Sequence, residues 1–165
     1  MAQGYVAGQT TNPSVGQIVQ FVYTQSGAVA TGTTTIPYDD TIPQNTEGDQ
    51  YLTASIIPTS VSSILEINVS GFWSSSSGNV ITVALFQDST ANAIAAMPSQ
   101  EETTVTIGNP IGFSYRMVAG TISSTTFKVR VGNSSAATIT FNGDASARKL
   151  GGVIASSITI TEIKA

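Results

Sequence analysis

A chain of 165 residues and 17.0 kDa is one domain's worth of sequence, long enough to bury about two-thirds of its unfolded surface without a disulfide or a metal. Only 10% of it is charged, against about 25% in an average domain, while 44 residues are Ser or Thr, so hydroxyls rather than ions must wet the surface. A net charge of -4 and a pI near 4.5 leave no basic stripe for a phosphate backbone, which argues against nucleic acid as a partner.

With Cys 0 and His 0, the chain has no disulfide, thiol nucleophile or imidazole base, so Ser-His-Asp and Cys-His catalysis are both excluded. The common transition-metal ligands are missing too. A composition that is 41% hydrophobic, with mean hydropathy +0.17, is the reverse of a disordered one. No stretch approaches 18 consecutive apolar residues and the opening residues form no charged or apolar leader, so neither a membrane span nor an export signal is expected.

Residues 1–18 are rich in Gly, Gln, Thr and Asn and show no periodicity. Two readings stand side by side: a frayed terminus, or an extended arm that anchors the domain to a neighbouring subunit or a larger assembly through Tyr5, Val6, Pro13 and Val15. From residue 19 to 165 apolar residues recur at every second position, which predicts an all-β domain. In chain order the alternation places Val19, Phe21 and Tyr23 in the core, then Leu65, Ile67 and Val69 with Glu66, Asn68 and Ser70 in water. Ile81, Val83 and Leu85 follow, then Phe113, Tyr115 and Met117, then Phe127, Val129 and Val131 opposite Lys128 and Arg130, then Ile139 and Phe141. Residues 91–97 read as one helical turn or as a returning hairpin strand, the strand being favoured by the turn at Asp88-Ser89-Thr90 before it, and Pro98 is expected to end it. Ile158 and Ile160 share one parity and Ile163 takes the other, which predicts a bulge or a strand covered on both faces. Turn clusters lie at Ser26-Gly27, 74–79, 88–92, 108–110, 132–135, 142–144 and Gly151-Gly152. About eight to ten strands so punctuated predict an antiparallel jelly-roll sandwich.

Carboxylates remain as candidates for chemistry. Glycoside hydrolysis needs two acids about 5 to 9.5 Å apart, and Glu101-Glu102 is the obvious doublet. Adjacent strand residues point to opposite faces, however, so a solvated loop is the favoured reading. Asp39-Asp40 with Glu47 and Asp49 offers the oxygen chemistry of a calcium site, but its spacing matches no calcium loop. Trp73 follows Phe72 and precedes Ser74, Ser75, Ser76, Ser77, Gly78 and Asn79, so one of the two rings is expected outward beside a polar loop. A sugar-stacking platform is weighed there against an indole closing the core or packing at a subunit seam, and the structural reading is favoured. Tyr38, Tyr51 and Tyr115 are read the same way. No catalytic, cofactor-binding or metal-binding residue is assigned, and no cofactor is expected.

Residues 30–60, ATGTTTIPYDDTIPQNTEGDQYLTASIIPTS, followed by ILEINVSGFWSSS, resemble a segment of bacteriophage virion proteins and tail-fibre-like proteins. VALFQDSTANAIAA at 83–96, TTFKVRVG at 125–132 and FNGDASARKLGGVIASSITITEI at 141–163 resemble later blocks of the same module, in the same order. The resemblance implies a trimeric jelly roll of the tumour-necrosis-factor and complement-C1q type, displayed on a phage particle after synthesis in the host cytoplasm. In fibres the module closes a long chain, whereas here residues 1–18 are expected to be the whole anchor, contacting other virion proteins of the capsid or tail. Low charge suits a protomer that covers apolar surface with copies of itself, and a cysteine-free chain suits folding in a reducing compartment. The expected function is therefore a short homotrimeric fibre or spike tip, or head fibre, that adheres to a host surface glycan or protein and is not an enzyme. Its contact loops would carry Trp73, Ser74, Ser75, Ser76, Ser77, Asn79, Asp88, Asn92, Asn133 and Ser134. The alternative is a capsid decoration protein; a glycan depolymerase using Asp39, Asp40, Glu101 or Glu102 ranks below both.

Overall fold

A computed structural model describes residues 14–100 and 108–165. In chain order its strands are β1 (Ile18–Ser26), β2 (Ala30–Gly32), β3 (Asp49–Ile56), β4 (Ile64–Ser75), β5 (Val80–Gln87), β6 (Ala95–Gln100), β7 (Asn109–Val118), β8 (Thr125–Asn133), β9 (Ile139–Phe141), β10 (Gly143–Asp144), β11 (Ala147–Arg148) and β12 (Ser156–Ile163), with one 3-10 turn at Leu150–Gly152. Runs of Val, Ile and Thr, whose branched side chains pack well on a pleated surface, account for this bias.

The longer strands form two antiparallel sheets, β1-β12-β4-β7 and β3-β8-β5-β6. Among these strands the first pairs with the last, the second with the second-last, and so inward to the hairpin of β5 and β6, which is the strand order of a jelly roll. Near the end of β4 the place of β12 beside it passes to β9, which pairs with Trp73, Ser74 and Ser75 and carries β2 on its other side.

The inner faces supply the core: Leu52, Ala54 and Ile56 of β3, Leu65, Ile67, Val69 and Trp73 of β4, Ile81, Val83 and Leu85 of β5, Phe127, Val129 and Val131 of β8, and Ile158 and Ile160 of β12. Phe113, Tyr115 and Met117 pack against its margin. Strand β5 is buried on both sides, because residues 33–48 run as a strap over the outer face of its sheet. Ile36 of the strap joins Ala84 and Phe86 in a second apolar cluster, and Arg130 donates to the carbonyls of Glu47 at 2.7 Å and Gly48 at 2.6 Å.

Three expectations need correction. In β1, Phe21 and Tyr23 are 61% and 50% exposed while Val22 packs on the core. The register explains it: Val22 lies opposite the buried Ile160 and Phe21 opposite Thr161, and neighbouring residues across a sheet share a face, so a one-residue offset reverses the whole strand. Of the two readings of the C-terminal strand, the bulge is absent from β12, which is regular, with Ser157, Thr159, Thr161 and Ile163 half-buried on its other face; the irregularity falls between Ile18 and Gln20 of β1. Pro98 does not end its strand either; it pairs with Thr82 within β6, an edge strand that tolerates a residue without an N–H.

The short connections define two ends. At one, the entry end, β1 starts and β12 finishes, and residues 57–63, 88–94 and 119–124 link strands. At the other, the far end, lie residues 76–79, 134–138 and the excursion 142–155.

Candidate functional site

The two ends differ in chemistry. At the far end the serines and asparagines bond to one another: Asn79 Nδ2 donates to Ser77 Oγ at 3.0 Å and to Ser135 Oγ at 2.7 Å. The Ser76 amide donates to the Thr138 carbonyl at 2.9 Å, and the Thr138 amide returns a bond to Ser76 Oγ at 2.9 Å. These bonds tie loop 76–79 to loop 134–138 as one polar surface. At the entry end Ile18, Ile57, Val61, Val118 and Ile122 are all exposed, and Val15, of the expected anchor set, is 79% exposed beside them. Tyr5, Val6 and Pro13 lie outside the described residues, as do Glu101 and Glu102.

The ten expected contact residues therefore do not form one surface. Ser76 is exposed and Ser77, Asn79 and Ser134 are half-buried at the far end. Trp73, Ser74, Ser75 and Asn133 are buried and are withdrawn as contact residues. Strand β4 continues through Ser75 because β9 supplies it with a partner, and Asn133 donates to Ser75 Oγ beneath the loop. The indole lies over Gly71, where a Cβ would stand 2.2 Å from its Cη2 atom, and meets the Phe141 ring at 5.8 Å. Trp73 thus closes the core, and Phe72 is the ring on the outer side of the strand.

Asp88 and Asn92 sit at the entry end, opposite the other loops, and their side chains are already engaged. Asp88 holds the β5 turn in a left-handed conformation at φ 52, accepting from the Thr126 amide at 2.7 Å and Thr125 Oγ1 at 2.9 Å. Asn92 Oδ1 accepts from Gln44 Nε2 at 3.0 Å.

The acidic stretch is likewise divided among local turns. Asp39 accepts from the amide and hydroxyl of Thr41, bonds that hold its carboxyl below the usual carboxylate value. Glu47 caps the Gln44 amide at 2.8 Å, and Asp49 takes the amide and hydroxyl of Thr34, both at 2.9 Å. Among the described residues no three acidic side chains converge as a metal site would require.

Two features escaped the sequence reading. Among the described residues no strap crosses the outer face of the first sheet, and on it Phe21 and Tyr23 stack with ring centroids 6.4 Å apart. Glu162 is fully buried. Its carboxylate accepts from the Thr59 amide at 2.8 Å, Thr59 Oγ1 at 2.7 Å and Gln20 Nε2 at 2.9 Å, and from Ser63. Burial pushes its carboxyl up, but the bonds from Ser63, Thr59 and Gln20 outweigh burial and leave it below its ordinary value. The alternation through Ile158 and Ile160 was the available signal, since continuing it by two residues puts Glu162 on the inner face.

The class of fold is thus an antiparallel jelly roll, assigned on strand order alone. No family model matches the chain and no curated protein matches it. Among solved structures it is similar to an Eiger TNF from S. frugiperda, with 11% identity and TM-score 0.48 over 88% of this chain and 94% of that one. The EclA C-terminal domain, described as a sugar-binding protein, gives 14% and 0.37 over 85% of each. The enzymatically active domain of bacteriophage CBA120 tailspike protein 4 gives 16% and 0.29, over 77% of this chain and 19% of that one. At these values neither fold nor function is argued from the likeness.

Proposed function

We propose that the chain is a structural protein of a bacteriophage particle, a short homotrimeric fibre or spike tip, or head fibre, that adheres to the host surface and is not an enzyme. The observation that carries this reading is the contrast between the ends: the chain enters beside exposed Ile18, Val61, Val118 and Ile122, while the serine and asparagine loops face the opposite way. The entry end suits attachment to other virion proteins, and the far end suits a host glycan or protein. The part of the first sheet's outer face around Phe21 and Tyr23 is the seam between subunits. These two rings offer roughly 200 Å² of apolar surface, about a quarter of what each partner contributes to a standard interface. The resemblance of residues 30–60 to phage virion modules agrees with this assignment.

The test is competition. Purified chain should sediment near three times 17.0 kDa and block adsorption of the phage to its host, and Asn79→Arg with Ser135→Arg should abolish the block without dissociating the trimer. A monomer that leaves adsorption untouched refutes the reading. The apolar entry end also favours a second reading, a capsid decoration protein, which predicts binding to purified heads and particles that burst at higher temperature when it is bound.

A further inference from the structure

We propose that the pocket over Phe72 is a binding site for a pyranose ring. The cavity, about 350 Å³, lies on the outer face of the first sheet and is lined by Phe72, Gly108, Asp144, Lys149, Leu150 and Ile154. That volume falls at the low end of small-molecule sites, which are apolar hollows with a few placed polar groups.

The walls are built before any ligand arrives. Phe72 is pinned through its backbone, its amide donating to Ser156 Oγ at 3.0 Å and its carbonyl accepting from the Asn142 amide at 3.0 Å. Opposite it, Asp144 stands in the small β10-β11 ribbon. Leu150, Gly151 and Gly152 follow one another at positive φ of 48, 66 and 89, folding the chain back so that Lys149, Leu150 and Ile154 line the same cavity as Asp144.

The polar pair selects the ligand. Lys149 Nζ lies 3.9 Å from Asp144 Oδ2, beyond hydrogen-bond length, and the lysine side chain is 47% exposed. Asp144 Oδ1 is buried with no partner among the described residues, which leaves Oδ2 as the oxygen a ligand meets. A hydroxyl set between the two groups accepts from the ammonium and donates to the carboxylate. An anion would face Asp144 and a cation Lys149, while a wholly apolar molecule would desolvate both without replacing their bonds. A neutral ring with C–H groups for Phe72, Leu150 and Ile154 and with neighbouring hydroxyls for the pair meets every requirement. The site deepens the adhesion reading, on which its biological setting rests, but its occupancy is measured without phage or cells.

The experiment is calorimetric titration of the full chain with D-glucose, D-galactose and N-acetyl-D-glucosamine, with cyclohexanol as the ring lacking vicinal hydroxyls. Saturable binding of at least one sugar is expected, weakened tenfold or more by Lys149→Ala and by Phe72→Leu, with cyclohexanol at least tenfold weaker. Lys149→Ala changes an exposed side chain, and circular dichroism melts verify that both variants fold. Failure of all three sugars to bind, binding indifferent to both substitutions, or equal binding of cyclohexanol overturns the proposal. Adsorption competition by the same protein then reports separately whether the adhesion reading survives.

Discussion

Replacing Glu162 with Gln tests whether one buried carboxylate fastens the entry end. Three of its bonds, at 2.7 to 2.9 Å, come from the Thr59 amide, Thr59 Oγ1 and Gln20 Nε2, so they join β12 to β1 and to the connection between β3 and β4. Bonds to a charged acceptor stabilise by about 1.5–3 kcal/mol against about 0.5–1.5 for neutral ones. Glu162→Gln keeps the shape, reduces each bond by about 1 kcal/mol and sets an amide donor against donors, for about 3 kcal/mol in all. In a chain of this size that lowers the melting temperature by roughly 5–15 °C at pH 7. The pH dependence has a definite sign. A carboxyl held below its ordinary value of 4.5 stabilises fully above that value and loses its contribution as the pH falls through the folded one. The gap between wild type and variant should therefore be widest near neutrality and close on acidification. Differential scanning calorimetry at fixed protein concentration, from pH 7 down to about pH 3, reads both effects. A drop at pH 7 below about 2 °C, or a gap that widens in acid, would refute the reasoning.

Gly71→Ala should cost about 1–3 kcal/mol in urea unfolding, because its methyl would enter the Trp73 ring at 2.2 Å; an unchanged midpoint would mean that the indole is free to shift. Asp88→Ala should cost about 1–2 kcal/mol through loss of its bonds to Thr125 and Thr126, without weakening phage adsorption; lost adsorption in a folded variant would return Asp88 to the contact surface. Phe21→Ser with Tyr23→Ser should leave the fold intact by circular dichroism and convert the proposed trimer to monomer in sedimentation, since both rings are exposed within the chain; a persistent trimer would place the seam elsewhere.

The sandwich was legible where one face of a strand is buried and the other wet. Leu65, Ile67 and Val69, or Phe127, Val129 and Val131, declare their inner face by alternation alone, and all six are buried. Strand β1 was misread because its outer face is apolar as well, and parity there is set by the β12 register, a pairing between residues more than a hundred positions apart. Ser74, Ser75 and Asn133 have the composition of a loop and are buried nonetheless, since β9 and their own hydrogen bonds meet their polar groups. Which loops share an end was illegible for the same reason: it follows from strand order, and local sequence carries no trace of it. The Phe72 pocket needs Asp144 and Lys149 brought to a strand about seventy residues earlier, so the sequence could offer only the ring.

The strap over residues 33–48 makes the molecule one-sided. With Ile36 seated on Ala84 and Phe86, the strap covers apolar ground on the second sheet's outer face, while among the described residues no such cover lies over Phe21 and Tyr23 on the first. Subunits with two adhesive faces can stack without limit, as sheets in fibrils do. A subunit with one must spend that face on a bounded set of copies, after which growth stops. If the chain assembles through the first sheet, as proposed, sixteen residues with no regular secondary structure for most of their length then keep Ala84 and Phe86 of the second sheet from any neighbour.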